Sequence, residues 1–324
     1  MATKYGFIGL GSMGYPMCTN IHAKIPADDE LFIHDVNTAV LNRFVQESKA
    51  KAKVTILDSA KKITEHCDII ITILPQSEHV RQVYYLGDNN LLSADKSITA
   101  SQRRKLFIEC STIDPVVSRE AGSKVLESGL GEFADAAVSG GPFGAKAATL
   151  SHMIGCPDAL FPSVKAVVSM TGTSLFHCGP VGSGVTVKII NNYISICNML
   201  SASEGLNLGM RLGLDPVKLT DIINASSGRS WTTMSNHPVP GVQADSVASR
   251  GYRGGFAIEL AAGCVDLAMK GARDVGAKMT LGPSLQGAFH AAMEDERCKG
   301  LDARSIFRWV SEMEVGPEAS GGAS

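Results

Sequence analysis

The segment Gly9-Leu10-Gly11-Ser12-Met13-Gly14 constrains this chain more than any other, because it dictates a strand, a tight turn and a helix in that order. An apolar run, Tyr5–Gly9, precedes it, and a helical period over Gly14–Lys24 follows. The first glycine permits the turn and the second lets the backbone approach a pyrophosphate. The third lets helix and strand pack closely. The start of the helix then offers free N–H groups and the positive end of its dipole to the phosphates. Asp35 closes the next apolar run, Leu31–Asp35, 21 positions after Gly14. A carboxylate there can accept both ribose hydroxyls and repels a 2′-phosphate. No arginine follows at once in His34-Asp35-Val36-Asn37. The pattern predicts a dinucleotide site that takes NAD rather than NADP. Its contacts are Gly9, Leu10, Gly11, Ser12, Met13, Gly14 and Asp35.

The rhythm continues beyond this unit. Ile69–Leu74, Leu106–Cys110 and Glu132–Ala136 read as strands, with helical stretches near Ala39–Ser48, Glu78–Tyr85 and Val116–Ser128 between them. Thr149–Gly155 and Leu175–Cys178 read as further strands around a helix near Ala159–Met170. Such alternation predicts an α/β domain with a parallel sheet covered on both faces. Residues 86–105 break the pattern and read as a solvated surface loop, its basic run Ser101-Gln102-Arg103-Arg104-Lys105 being solvated charge. Leu74-Pro75 and Cys110-Ser111-Thr112 close strands at the carboxyl edge, where ligands sit in open sheets of this kind. They read either as cofactor contacts or as ordinary strand-ending turns.

After Gly179-Pro180 strand signals nearly vanish. A helical pattern runs from Gly184 to about Gly213, followed by helices near Val217–Ala225, Glu259–Ala277, Ser284–Asp295 and Ala303–Met313. Asp215-Pro216 reads as an N-cap with proline in the first turn. The expected organisation is a nucleotide-binding domain over 1–179, an all-α domain over 180–315 and a disordered tail over 316–324.

Composition narrows the classes. The 324 residues carry a net charge of −2 with no basic stripe, which argues against nucleic acid or an anionic membrane as partner. The eight cysteines, Cys18, Cys67, Cys110, Cys156, Cys178, Cys197, Cys264 and Cys298, are scattered without a C-x-x-C pair. They read as reduced core thiols, and no ligand cluster suggests a metal. No apolar run approaches the ~20 residues that span a bilayer. The expected compartment is the cytoplasm, or the mitochondrial matrix if a transit peptide has been removed.

Two constellations point to chemistry. Ser139-Gly140-Gly141 follows the Glu132–Ala136 strand, and small residues with free N–H groups can form a nest for a carboxylate. A plain glycine loop fits those residues equally. Gly182-Ser183-Gly184 leads into a helix on which Lys188 and Asn192 stand one turn apart, with Asn191 beside them. Val185, Val187, Ile189, Ile190 and Ile194 surround them. A lysine in so apolar a stretch is costly to bury without a partner or a task. The alternative is a lysine that snorkels to solvent.

Taken with "GFIGLGSMGYPM", "ECSTIDP", "SGGPFGA", "GLNLGMRLGLDP", "SSGRSW" and "PVPGV", these motifs mark the chain as one that resembles the β-hydroxyacid dehydrogenase family, in particular its 3-hydroxyisobutyrate dehydrogenase branch. The similarity runs from Tyr5 to about Val310. The resemblance implies a Rossmann-type doubly wound sheet domain followed by an all-α domain joined by a long interdomain helix. It implies a small hydroxy acid as substrate, NAD as cofactor, and a homodimer or homotetramer. Lys188 becomes the catalytic acid/base. Asn191 and Asn192 would hold substrate, and Ser139, Gly140 and Gly141 its carboxylate. Leu74, Pro75 and Thr112 fall on cofactor-contacting positions.

The chain departs from that family at one conspicuous place. After Gly254-Gly255-Phe256 the family carries a Lys-Asp pair, and alignment on Phe256 and Leu267-Ala268 puts Gly263 and Cys264 there. A positive charge and a long side chain are missing from the mouth of the site. Ala137 replaces a usual proline, and Ala148 a usual glycine. These changes predict altered specificity. They leave open a reductase of an aldehyde acid or imine, or a non-catalytic NAD-binding paralogue.

Overall fold

In a computed structural model the structure describes residues 2–95 and 104–312, so residues 101–103 of the basic run at 101–105 and the 316–324 tail lie outside the described residues. The chain divides into two compact units, Met1–Lys188 and Ile189–Ser324, and the division falls inside one continuous helix.

The first unit is built around an eight-stranded sheet. In chain order it runs β1 (Lys4–Ile8), α1 (Gly14–Lys24), β2 (Glu30–His34), α2 (Thr38–Glu47), β3 (Lys53–Ile56), α3 (Ala60–His66), β4 (Ile69–Thr72) and α4 (Ser77–Tyr84). Then come β5 (Lys105–Glu109), α5 (Pro115–Ser128), β6 (Gly131–Ser139), α6 (Gly141–Ala147), β7 (Leu150–Gly155), α7 (Phe161–Val168) and β8 (Gly172–Gly179). The strand order is β3-β2-β1-β4-β5-β6-β7-β8. The chain winds outward from β1 through β3, then returns to place β4 on the other side of β1. That reversal makes the topological switch point, at the carboxyl ends of β1 and β4.

One face of the sheet packs Phe7, Leu31, Ile33 and Ile71 against Met17, Ile21, Leu41 and Phe44 of α1 and α2. Elsewhere in this unit Tyr84 packs edge-on to Phe133, with ring centroids 5.8 Å apart, and its hydroxyl meets Thr72 Oγ1 at 3.0 Å. Such strands read as near-continuous apolar runs because both their faces are covered.

The sheet is mostly parallel, as expected, with one antiparallel pairing. β7 pairs antiparallel with β6, and β8 runs parallel to β7, so two strands oppose the other six. The cause lies in Gly140 and Gly141, with φ of +130° and +65°. They turn the chain out of β6 into the short helix α6, which returns it beside the strand it has just left. Residues 139–141, which in the sequence fit a carboxylate nest or a plain glycine loop equally, are a strand end and a helix start.

β3 and α3 are additions to the sequence reading. β3 is a four-residue edge strand with partly exposed side chains, and α3 has seven residues. Neither is long enough to establish a period. Among the described residues of the 86–105 segment, several are less solvated than expected. Asn90 caps a 3₁₀ turn, Leu91–Ser93, by accepting from the amides of Leu92 and Ser93. Leu91 is buried. Lys105, the last residue of the basic run, is buried at the start of β5, where its Nζ donates to the Cys67 carbonyl at 2.7 Å.

α8 (Ser183–Arg211) carries the chain into the second unit, followed by α9 (Pro216–Asn224), α10 (Trp231–Ser235), α11 (Ile258–Asp274), α12 (Gly282–Glu294) and α13 (Ile306–Ser311). Asp215 caps α9 as its Asp-Pro signal predicts, accepting from Lys218 N at 2.9 Å. Ile196, Met199, Ile258, Val265, Leu285, Phe289 and Ile306 form this unit's core. Among the described residues of this unit there is no strand, only an isolated bridge between Ala257 and Asp302. No helix of the described residues is long and apolar enough to cross a membrane.

Candidate active site

The glycine turn lies at the switch point. Gly9 N donates to His34 O and Ile73 N to Ile8 O, so the ends of β1, β2 and β4 are stitched together there. Gly9 has φ +96°, and a Cβ on it would strike the Ile73 carbonyl. A Cβ on Gly14 would run into the Gly9 carbonyl oxygen, so the third glycine is required for helix and strand to close. Gly11 is different: a Cβ there meets nothing within 4 Å. That open approach is what a backbone hydrogen-bonding to a pyrophosphate needs. Asp35 locks the turn, since Oδ2 accepts from Leu10 N at 2.6 Å and Oδ1 from Asn37 N at 2.8 Å. These residues fit a dinucleotide.

Leu74 and Pro75 follow β4 on the other side of the switch point. Leu74 N donates to Ser111 Oγ at 2.7 Å, and Ser111 N donates to Glu109 Oε1 at 2.8 Å. Thr112, half-buried, comes next. Behind the two candidate cofactor segments therefore stands a carboxyl that sequence reasoning missed. Glu109 is fully buried, and its Oε2 has no hydrogen-bond partner among the described residues. Burial pushes its carboxyl up to about 7; the Ser111 bonds oppose the rise and the neighbouring Asp135 charge adds to it.

Asp135 on β6 is the second missed carboxyl. Its Oδ1 accepts from Gly182 N at 2.6 Å and its Oδ2 from Val185 N at 2.7 Å. It thus satisfies amides at the start of α8 that no helical carbonyl can reach. Burial pushes it up to about 6, with the backbone bonds pulling the other way. A Cβ on Gly155 or on Gly184 would collide with this carboxylate, so both glycines are consequences of the cap. Lys188 follows one turn later and is only 8% exposed. Ser139, Gly140 and Gly141 lie at the end of the same β6 that carries Asp135, with Ser139 and Gly141 half-buried and Gly140 exposed. The only sign of either carboxyl in the sequence is an acid inside an apolar run.

The remaining predicted residues belong to the second unit. Asn192 is buried, and its Nδ2 donates to Cys264 Sγ at 3.2 Å. The thiol that replaces the family's acid therefore supplies an acceptor for the asparagine. Gly263 beside it faces open space. Asn191 is exposed on the flank of α8, next to Ile190. All eight cysteines are free thiols, six of them buried. Among the described residues no group of three or more His, Cys, Asp or Glu could hold a metal ion.

Two domain families match in tandem. Residues 4–179 match the NAD binding domain of 6-phosphogluconate dehydrogenase, and residues 182–310 match the NAD-binding domain of NADP-dependent 3-hydroxyisobutyrate dehydrogenase. The probable mitochondrial 3-hydroxyisobutyrate dehydrogenase of Arabidopsis thaliana is 36% identical over 312 residues, covering 94% of this chain and 86% of its own. The chain belongs to the 3-hydroxyisobutyrate dehydrogenase family. The Pseudomonas aeruginosa 3-hydroxyisobutyrate dehydrogenase is 35% identical over 94% of this chain and 97% of its own. Among solved structures of the family, the Mycobacterium tuberculosis 3-hydroxyisobutyrate dehydrogenase with L-serine superposes with a TM-score of 0.82 at 28% identity, over 96% of this chain and 99% of that one. Family membership agrees with the nicotinamide dinucleotide site that the glycine turn implies.

Proposed function

We propose that this chain is a dehydrogenase of small, 3-hydroxyisobutyrate-like hydroxy acids that uses NAD, with Lys188 as its acid/base. The observation that carries this reading is the buried Lys188, on a helix whose first turn is clamped by Asp135 in the unit that bears the dinucleotide turn. A bound nicotinamide supplies the hydride acceptor or donor at its C4. Lys188 takes the hydroxyl proton during oxidation and returns it to the carbonyl oxygen during reduction. Ser139, Gly140 and Gly141 hold the substrate carboxylate through backbone amides, and Asn191 and Asn192 hold the rest of it. Leu74, Pro75 and Thr112 line the nicotinamide half. Gly9 through Gly14 take the pyrophosphate.

Asp35 favours NAD, because a 2′-phosphate would meet a carboxylate already fixed by Leu10 N. A screen of short 2- and 3-hydroxy acids with NAD and NADP in parallel tests both points. The expected result is NADH formation with at least one 3-hydroxy acid and a higher kcat/KM for NAD than for NADP. Nucleotide binding without turnover on any of them, or a preference for NADP, counts against the reading.

The Asn192–Cys264 contact favours a second reading, in which the chain is a reductase of an aldehyde acid other than the oxidation product of 3-hydroxyisobutyrate, such as a tartronate-semialdehyde-like compound, or of an imine. Restoring the family pair by Gly263→Lys with Cys264→Asp should raise kcat/KM on 3-hydroxyisobutyrate. A folded double mutant with no gain removes this reading.

A homodimer or homotetramer is inferred as well. Ile190, Ile194 and Leu208 of α8, Leu212 just after it and Ile222 of α9 are exposed large apolar side chains, the kind of surface that a second copy of the chain would cover. Light scattering should return a multiple of 34.2 kDa, and a monomer at micromolar concentration would refute it. The free thiols suit a reducing compartment, cytoplasm or mitochondrial matrix.

A further inference from the structure

The reaction as proposed leaves two buried carboxyls of the first unit without a task. Glu109 ends β5, and its register partner on the neighbouring strand is Asp135 of β6. Neither side chain reaches solvent. Each holds a different part of the candidate site. Asp135 accepts from Gly182 N and Val185 N, so it fixes the first turn of the helix that carries Lys188. Gly155 and Gly184 have no room for a Cβ beside it, so the carboxylate is wedged between two backbones and cannot swing. Glu109 accepts from Ser111 N, and Ser111 Oγ accepts in turn from Leu74 N, so it fixes the ends of β4 and β5.

We propose that Glu109 and Asp135 act as one positioning device for the reaction, Asp135 setting the place of Lys188 and Glu109 setting the Leu74-Pro75 and Ser111-Thr112 edges. The inference rests on the assignment of Lys188 as the acid/base. Two neighbouring carboxylates in a dry strand pair repel, so one of them keeps its proton. Asp135 is ringed by amide donors, whereas Glu109 has one oxygen with no partner among the described residues. Glu109 therefore holds the proton and Asp135 the charge, in line with their rise to about 7 and about 6. The titratable groups around the pair do not replace that division. Tyr84 of α4 and Cys110 face Glu109, and Cys110, Cys156 and Cys178 face Asp135. Burial pushes the hydroxyl and all three thiols up, so they stay neutral. As pH rises through neutrality, Glu109 loses its proton, the two charges repel and the clamp loosens.

Asp135→Asn and Glu109→Gln test this in the full-length enzyme. An asparagine presents an amide donor to the start of α8, where only acceptors fit. Asp135→Asn should lower kcat by about 10–100-fold, the scale of an ångström-sized misplacement, with the KM for the dinucleotide within about threefold. Glu109→Gln fixes the neutral form, so the wild-type kcat profile should carry a neutral-range ionisation that the Glu109→Gln profile lacks. An Asp135→Asn enzyme that binds NADH and turns over like the wild type overturns the proposal. So does a Glu109→Gln profile that superimposes on the wild-type profile, and this second variant decides the matter if the first does not fold. Lys188→Ala, run alongside, separates the two layers. If it keeps turnover, the acid/base assignment fails. If it loses turnover while both carboxyl variants behave like the wild type, only the positioning proposal fails.

Discussion

Replacing Lys188 by alanine should lower kcat by about 10²–10⁴-fold while NADH still binds. The size follows from what a placed acid/base contributes. Without the amine, the hydroxyl proton must leave to water from a site in which the lysine is 8% exposed. Alanine is a strong helix former, so α8 should keep its backbone. The Asp135 cap lies at Gly182 and Val185 and touches neither the lysine backbone nor the dinucleotide turn. The substitution therefore isolates chemistry from binding. Steady-state kcat, with NADH binding followed by fluorescence, checks it. Wild-type turnover in the alanine variant would leave the fold assignment standing and remove the mechanism.

Asp302→Ala should destabilise the helical unit by about 3–5 kcal/mol, the usual cost of stranding a buried charge. Asp302 and Arg304 form an ion pair at 2.8 Å with side chains 0% and 5% exposed. Asp302 also accepts from Phe256 N at 2.7 Å and from Arg304 N at 2.9 Å, which ties the start of α11 to the segment before α13. Removing the carboxylate leaves the guanidinium with the Asn236 carbonyl and the ring of Trp231, neither of which neutralises it. The amide of Phe256 loses its acceptor as well. Urea unfolding read by circular dichroism measures the change. A loss under about 1 kcal/mol would mean that water or another group takes over, which the burial of the pair argues against.

The sequence was legible where local pattern and tertiary role coincide. β1, α1 and β2 could be read because apolar runs bracket three glycines and Asp35, and each of those residues acts on its near neighbours. β3 and α3 were not legible: one is an exposed edge of four residues, the other has seven. The reversal at β7 was hidden because Gly140 and Gly141 read equally well as a loop. Lys105 was taken for solvated charge because it ends a basic run, whereas its amine is paired with a carbonyl 38 residues away.

The site divides along the same line. Lys188 and Asn192 announced themselves as polar residues one turn apart in an apolar helix. Asp135 and Glu109 did not, because an acid within an apolar run looks like a strand end. What gives Asp135 its task are amides 47 and 50 positions further on. Cys264 was visible only as a departure from the family. Its partner, Asn192, lies 72 positions earlier and could not be inferred from spacing.

A crystal structure of the ternary complex with NADH and a non-turned-over hydroxy acid analogue tests the central claim most directly. The account predicts Lys188 Nζ within hydrogen-bond reach of the analogue's hydroxyl oxygen, about 2.6–3.2 Å, and that oxygen's carbon beside the nicotinamide ring. An amine turned into bulk solvent, with another side chain holding the hydroxyl, would contradict it.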